Sequence, residues 1–314
     1  MAVLITNFIK IERSKQMFTA EERRQYIGGS DIAAVMGMSR WKTPLTLWLE
    51  KTGEIESTTN SDNEAVELGR ELEDFVAKKF TRVTGLKVRK RQEKYTHKKY
   101  PFLVAHVDRI IVGSDELLEC KTCSSYKKDE WKDEDIPKEY ILQVIWYLGI
   151  TGRKRGHIAV LIGGQCFKTK VIEFDAELFN IMVDMAVKFW NNVQNKIMPA
   201  LTPDDNDTMA KIYPNPDKEY IENQDLESQV EKLAQIKAEI SALDTERKLL
   251  EAELKNIINT HAGILTEKYK VSWFKMARTI VNTDQLKADN LYQKYSNTSV
   301  TRSLRIFDRN KKAA

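Results

Sequence analysis

Asp108, Glu119 and Lys121 are the residues of this 314-residue chain whose types and spacing could act together in catalysis. Asp108 lies in a run, residues 103–112, that reads as a strand. Glu119-Cys120-Lys121 lies in the next strand-like run, residues 116–122, after a Gly113-Ser114-Asp115 turn. Glu119 and Lys121 are two apart and so project from one face, and a tight hairpin sets Asp108 opposite Glu119. Two carboxylates and a lysine on one sheet face are what hydrolysis of a phosphodiester requires. The carboxylates hold a divalent metal that polarises the phosphate and activates water, and the lysine orients the nucleophile or stabilises developing charge. Cys120 points the other way, but its carbonyl, read as lying at a strand edge, is a further oxygen donor.

Two polar residues on apolar faces add weight. Glu73 falls beside Leu72, Val76 and Phe80 on a helix over residues 63–84, where a lone carboxylate is costly unless a cation or partner meets it. That helix should bury a stripe of Leu68, Leu72, Phe75, Val76, Phe80 and Val83 and stop at Gly85. Gln143 sits four residues before Tyr147 on a largely apolar helix over residues 138–148, and a buried amide needs partners. Surface ion pairing is the plain alternative for Asp108, Glu119 and Lys121 alone; Glu73 and Gln143 tip the balance towards a metal site.

Upstream, Ile27-Gly28-Gly29-Ser30-Asp31 precedes an apolar helical run, so Ser30 or Asp31 should cap a helix start. Glycines admit close backbone approach, and free N–H groups at a helix N-terminus attract anions. With Arg23 as the point charge this makes a phosphate pocket; a plain helix cap is the alternative. Trp41, Lys42 and the basic run of Lys87, Arg89, Lys90 and Arg91 are candidates for nucleic-acid contact, through cations tracking phosphates and an aromatic platform. Cys120 and Cys123 have Cys-x2-Cys spacing, but with three cysteines in all and no metal-like histidine spacing they make no structural zinc site. His106 reads as a packed or solvent-facing histidine.

Around these residues helical and strand patterns alternate. Residues 86–95 read as a strand, 157–162 and 166–174 as a hairpin about Gly163-Gly164, and 176–194 as an amphipathic helix. The order α-β-β-β-α-β-β-α specifies a mixed α/β layer fold, with residues 1–200 as its domain. Four of the seven prolines, Pro199, Pro203, Pro214 and Pro216, mark residues 201–216 as a linker. Residues 217–314 form an appendage. In it, Leu226, Gln229, Leu233, Ile236, Ile240, Leu243, Arg247, Leu250, Leu254 and Ile257 follow alternating steps of three and four, the grammar of a coiled coil or helical hairpin. A short strand at residues 269–273, a helix near 284–295 and a last strand at 300–307 complete it, and Arg278, Arg302 and Arg305 would let it touch DNA.

The totals exclude several classes. With 42% hydrophobic residues, 31% charged and a net charge of +4, the chain can bury a real core and is not dominated by disorder. No apolar run approaches the roughly 20 residues of a spanning helix. The first residues are too short for a signal-peptide core, and three cysteines make no disulfide framework, so a reducing cytoplasm is expected. Fifty basic against 46 acidic residues is too mild a balance to name a partner.

Residues 23–190 resemble the YqaJ-like viral recombinases, the exonuclease family that includes lambda exonuclease, within the PD-(D/E)xK superfamily. The resemblance lies in Arg23-x3-Ile27-Gly28-Gly29-Ser30-Asp31-Ile32-Ala33, Gly69-Arg70-Glu71-Leu72-Glu73, Asp108 with Glu119-Cys120-Lys121, and Gln143-x3-Tyr147, in the family's order over about half the chain. It implies a restriction-endonuclease-like fold, a mixed central sheet flanked by helices. By the same resemblance Asp108, Glu119, the Cys120 carbonyl and Glu73 would ligate two Mg²⁺ ions (Mn²⁺ serving as well), Lys121 would position water, and Gln143 would support the site. Arg23 and Ser30 would hold a DNA 5′-phosphate. The implied activity is 5′-to-3′ digestion of duplex DNA from its ends, leaving 3′ overhangs for a phage-type annealing protein, by a homo-oligomer that in relatives is a trimeric ring. A restriction-like or structure-specific endonuclease and a non-catalytic DNA-end-binding scaffold are the rival readings. Val107-Asp108-Arg109 departs from the superfamily's frequent Pro-Asp-Gly, which puts the local strand geometry in doubt.

Overall fold

The computed structural model describes residues 19–56, 64–91, 93–217, 219–298 and 302–307. They fall into two compact units, residues 1–208 and 209–314. The first unit begins with three short helices, α1 (Ala20–Arg24), α2 (Gly29–Val35) and α3 (Pro44–Thr52), and a long one, α4 (Glu64–Thr84). Strands β1 (Val88–Lys90), β2 (Tyr95–Thr96), β3 (Val104–Ala105), β4 (Arg109–Ile111) and β5 (Glu116–Cys123) follow. Next come α5 (Lys138–Thr151), the strands β6 (Arg155–Ile162) and β7 (Cys166–Glu173) and α6 (Ala176–Gln194); α7 (Asn206–Ile212) runs across the boundary at residues 208 and 209.

Five strands form one mixed sheet in the order β1-β4-β5-β6-β7, with β5 and β6 parallel and the other neighbours antiparallel. The single parallel pair follows from the crossover through α5, since a tight turn joins only antiparallel strands. Side chains alternate across β5. Leu118 and Cys120 face α4, where Val76, Ala77 and Phe80 meet Leu118, Ile111, Ala159 and Leu161. Glu119 and Lys121 face α5, whose Gln143 they contact. The fold is therefore a mixed central sheet flanked by helices. At Gly156 an added Cβ would lie 2.3 Å from Val144 Cγ1, which is how closely α5 seats on the sheet.

Several elements depart from the expectations. Residues 86–95 are two short strands, with β2 leaving the main sheet to pair with β3. Residues 103–112 are likewise split, and the break at residues 106–108 is where Asp108 stands. Along α4 only Val76, Ala77 and Phe80 are buried; Leu68, Phe75 and Val83 are exposed, because the sheet covers a narrower arc of the helix than the apolar stripe spans. Residues 201–216 hold a 3-10 turn and α7, and Asp205 is buried, accepting from Thr43 Oγ1 at 2.5 Å and from the Thr202 backbone N–H at 2.6 Å.

In the second unit α8 (Glu227–Ile258) runs for 32 residues, followed by the hairpin β8 (Gly263–Leu265) and β9 (Lys270–Ser272). Where one helix was expected near 284–295 there are two, α9 (Thr283–Ala288) and α10 (Tyr292–Tyr295), separated by Asn290 in a left-handed conformation. Residues 302–307 form no strand; 300 and 301, the start of that expected element, lie outside the described residues. Among the described residues no helix is long and apolar enough to cross a membrane.

Candidate active site

The site begins with the β4–β5 hairpin. The register Arg109↔Leu118, Ile110↔Leu117 sets Asp108 across from Glu119. Because β4 starts only at Arg109, β5 has no strand on that side beyond Leu118, and Asp108 Oδ2 takes the Cys120 N–H at 2.8 Å. A strand residue's N–H and C=O point to the same side, so the Cys120 carbonyl opens into the same gap. It is thus a candidate oxygen ligand at the open edge of β5, where β4 has stopped.

On the α5 face the polar groups close on one another. Lys121 Nζ donates to Glu119 Oε1 at 2.6 Å and to Gln143 Oε1 at 2.9 Å, and Gln143 Nε2 donates to Glu119 Oε1 at 2.9 Å and to Tyr147 Oη at 2.7 Å. Glu119 is only 3% exposed, and its second oxygen, Oε2, is buried without a hydrogen-bond partner. Burial raises the Asp108 carboxyl well above its ordinary pKa, and repulsion from Glu119 and then Glu73 adds to it. Burial works against the Lys121 ammonium, but Glu119 and Asp108 outweigh it and hold its pKa above the usual lysine value. Burial, with Glu119 and Asp108, also raises the Tyr147 phenol well above its usual range, so it stays protonated. Two acidic groups with more negative charge than the protein neutralises, one of them with an unmatched buried oxygen, form a cation-seeking arrangement.

Glu73, from α4, repels Asp108 but has its own partner. Arg109, 3% exposed, donates from Nη1 to Glu73 Oε1 at 2.5 Å and to the Asp108 carbonyl at 2.6 Å, and its Nη2 pairs with Asp74. Lys90 adds to the cluster, 3.5 Å from Glu73 Oε1. The counter-charge that the sequence required of Glu73 is therefore the residue after Asp108. Among the described residues no three or more His, Cys, Asp or Glu side chains are grouped as a metal cage. The donors that face one another are Asp108, Glu119 and the Cys120 carbonyl. All are oxygens, which suits Mg²⁺, an ion that takes one or two carboxylates from the protein and fills its remaining positions with water and substrate phosphate.

The N-terminal motif sits beside this cluster. Ile27 donates to Phe102 O at 2.8 Å and accepts from Val104 at 2.9 Å, tying the motif to the strand that leads to Asp108. Neither Ser30 nor Asp31 is the helix cap: α2 starts at Gly29 behind Gly28, and Asp31 reaches back from the first turn to accept the Gly28 N–H at 3.1 Å. Helical geometry begins earlier because glycines carry no Cβ to oppose close packing. At Gly29 a Cβ would fall 2.3 Å from the Tyr147 ring, the ring whose hydroxyl meets Gln143. Arg23 Nη2 donates to Ser30 Oγ at 3.3 Å, so the two phosphate-pocket candidates are together. Behind them Lys51, from α3, donates to Arg23 O and Tyr26 O, both at 2.7 Å, and to Asp31 Oδ2 at 2.8 Å. Lys51 was not legible as a site residue; its only signal is a lysine two residues past the run Leu45-Thr46-Leu47-Trp48-Leu49.

Of the remaining candidates, Trp41 is linked to the cluster through Tyr140, whose ring lies 6.1 Å from that of Trp41 and 5.0 Å from Lys121 Nζ. Trp41 is 57% exposed, with the Arg40 guanidinium 5.6 Å from its ring, whereas Lys42 is committed to Glu50 at 2.6 Å. Arg89 and Arg91 line a cleft of about 400 Å³ with Arg153 and the β4–β5 turn. His106 packs 5.5 Å from the Tyr26 ring, and burial with Arg23 and Lys94 pushes its pKa down to about 4, so it is uncharged at neutral pH. Cys120, Cys123 and Cys166 are free thiols, and burial raises that of Cys120.

Residues 20–154, which contain the whole cluster, match the sequence pattern of the YqaJ-like viral recombinase domain. Protein YqaJ of Bacillus subtilis (strain 168), itself described as uncharacterized, is 38% identical over 278 residues, covering 85% of each chain. The chain belongs to the YqaJ-like viral recombinase family. Among solved structures, the alkaline exonuclease LHK-Exo of Laribacter hongkongensis aligns with 56% of this chain and 91% of its own, at 20% identity and a TM-score of 0.48. A phage-related exonuclease of Haemophilus somnus 129PT aligns with 55% of this chain and 96% of its own, at 15% identity and a TM-score of 0.43. Residues 20–154 take in Asp108, Glu119, Lys121, Gln143 and the Arg23–Ser30 pair.

Proposed function

We propose that this recombinase is a Mg²⁺-dependent double-stranded DNA exonuclease that works 5′ to 3′ from duplex ends. The reading rests on one observation above the others: Glu119 Oε2, buried and unpartnered, beside an Asp108 that burial and neighbouring charge oppose as an anion. Asp108, Glu119 and the Cys120 carbonyl would hold the ion, with Glu73 the further carboxylate of the same cluster. Bound there, Mg²⁺, or Mn²⁺ in its place, supplies Lewis-acid polarisation of the phosphodiester and a more acidic water.

The protein's own residues supply position and charge. The Lys121 ammonium has three donors, of which Glu119 and Gln143 take two, leaving one for the attacking water or a phosphate oxygen. Gln143 holds Lys121 and Glu119 in register, and Tyr147 fixes Gln143. Arg23 and Ser30, held by Lys51 and backed through Gly29 onto Tyr147, grip the terminal 5′-phosphate at a set distance from the carboxylates. Polarity follows, because a duplex end anchored by its 5′-phosphate presents the first phosphodiester of that strand. The product would be a 3′ overhang for a phage-type annealing protein. Catalysis by a homo-oligomer, in the trimeric ring of relatives, and in the cytoplasm where thiols stay free, completes the reading.

Linear duplex labelled at one end and then the other, incubated with Mg²⁺, tests it. Loss of the 5′-terminal nucleotide first, with closed circular duplex untouched, is expected; digestion of the circle would favour a restriction-like endonuclease. Ca²⁺ should support binding without turnover, because its looser coordination misplaces the nucleophile. Lys121→Ala or Asp108→Ala should lower the rate by at least about a thousandfold in a folded protein. Arg23→Ala should erase the preference for 5′-phosphate over 5′-hydroxyl ends.

A further inference from the structure

The apolar row of α8 lies open. Ile240, Leu243 and Ile257 are 61%, 64% and 66% exposed, on a helix of 32 residues, about 48 Å at 1.5 Å per residue. An apolar row repeating in steps of three and four and left in water is the surface a second helix covers, and the charges flanking it set the direction in which that helix runs. Taking the row as a and d positions places Lys232, Glu239, Glu246 and Glu253 at g, and Lys237, Asp244 and Glu251 at e.

If two copies ran parallel, each g residue would meet the e residue five positions on. Lys232 would face Lys237, Glu239 would face Asp244, and Glu246 would face Glu251, so every pair is like-charged. An antiparallel pair in full overlap matches a with d throughout: Leu233 with Leu250, Ile240 with Leu243, Ile236 with Arg247. The flanks then bring Lys232 against Glu253 and Lys237 against Asp244, each twice by symmetry, and leave only Glu239 against Glu246 as like charges. At its a position Arg247 can lay its aliphatic stem on Ile236 while its guanidinium stays with Asp244, 2.6 Å away, and Glu251 of its own helix. We propose that α8 is a self-association surface on which the α8 of a second copy of this chain docks antiparallel, giving a two-fold contact. This contact lies outside the catalytic residues and outside the domain that carries them, and does not depend on the nuclease reading.

The test is the mass and dissociation constant of the full-length protein by light scattering and analytical ultracentrifugation. Leu243→Asp places a charge at the centre of the contact on a side chain already in water, so the monomer fold is undisturbed. The mass of the assembly should fall, by half where the contact joins two protomers or two rings, and an unchanged mass overturns the proposal. Direction is read from Lys232→Glu. It should weaken the contact about tenfold, since two attractive pairs become repulsive, and adding Glu253→Lys should restore it. In a parallel pair Lys232→Glu would tighten association and Glu253→Lys would not act on it; either result, or no effect of Lys232→Glu, overturns the antiparallel assignment.

Discussion

Arg109 follows Asp108 in the chain, is almost wholly buried, and binds Glu73, Asp74 and the Asp108 carbonyl at once. Its burial opposes the charge, but Glu73 more than compensates and holds the guanidinium pKa above its ordinary value. Arg109→Met should therefore cost stability, about 2–3 kcal/mol in chemical unfolding, less than for a fully buried pair because Asp74 is exposed. Asp31 behaves differently. Burial alone would raise its pKa, but Lys51, the Gly28 N–H and Arg23 together lower it. Its pairing thus stabilises the fold above the ordinary carboxylate range, and that contribution is lost as pH falls through the depressed value. Asp31→Asn should lower the urea midpoint at pH 7, and the gap from wild type should close as the solution is acidified towards pH 3. Glu119 and Lys121 were legible as a pair because their spacing alone places them on one strand face. Lys51 and Arg109 were not, because each acts through partners 20 to 36 residues away in sequence, and no local pattern encodes those.

At the scale of elements, the site depends on where strands stop. Were β4 to begin two residues earlier, at Val107, its backbone would take the Cys120 N–H that Asp108 now holds, and the carbonyl would no longer face a gap. Periodicity located the β4–β5 hairpin but read residues 103–112 as one strand, since the break at 106–108 comes from β3 turning away to pair with β2. Close packing of α2 on α5 is the other decisive contact. Gly29→Ala would press a methyl group into the Tyr147 ring, costing about 1–3 kcal/mol, and would also displace Gln143, so turnover should fall more than DNA binding. A single-turnover rate set beside an equilibrium binding curve separates the two. The exposed part of the α4 stripe shows the same limit from the other side: apolar spacing tells which residues can share a face, not how wide a face the sheet will cover.

At the scale of the molecule, the boundary of the first unit bears on how it can be isolated. The first unit runs through Thr208, and within it Asp205 is fixed to Thr43 and Thr202. A chain ending at residue 208 should unfold cooperatively and keep its hydrolytic activity; one ending at 200 leaves Thr43 without that carboxylate and should melt several degrees lower. The +4 net charge is too mild to name a partner, and basic and acidic groups interleave at the site, where Lys121, Arg109 and Lys90 pair with Glu119 and Glu73.

The sequence by itself determined the alternation of helices and strands that makes a mixed α/β fold, the family, and which residue types stand at Asp108, Glu119 and Lys121, because these depend on residue type, on periods of two and 3.6, and on short spacings. It also carried the charge pattern of α8, which chooses a direction for a partner helix without any fold. Only the tertiary structure decided that Glu119 keeps an unmatched oxygen, that Arg109 answers Glu73, and that Gly29 rests on Tyr147. Those are meetings between segments far apart in the chain. They are settled by which strand ends first and which helix seats deepest, and close packing of the whole determines both.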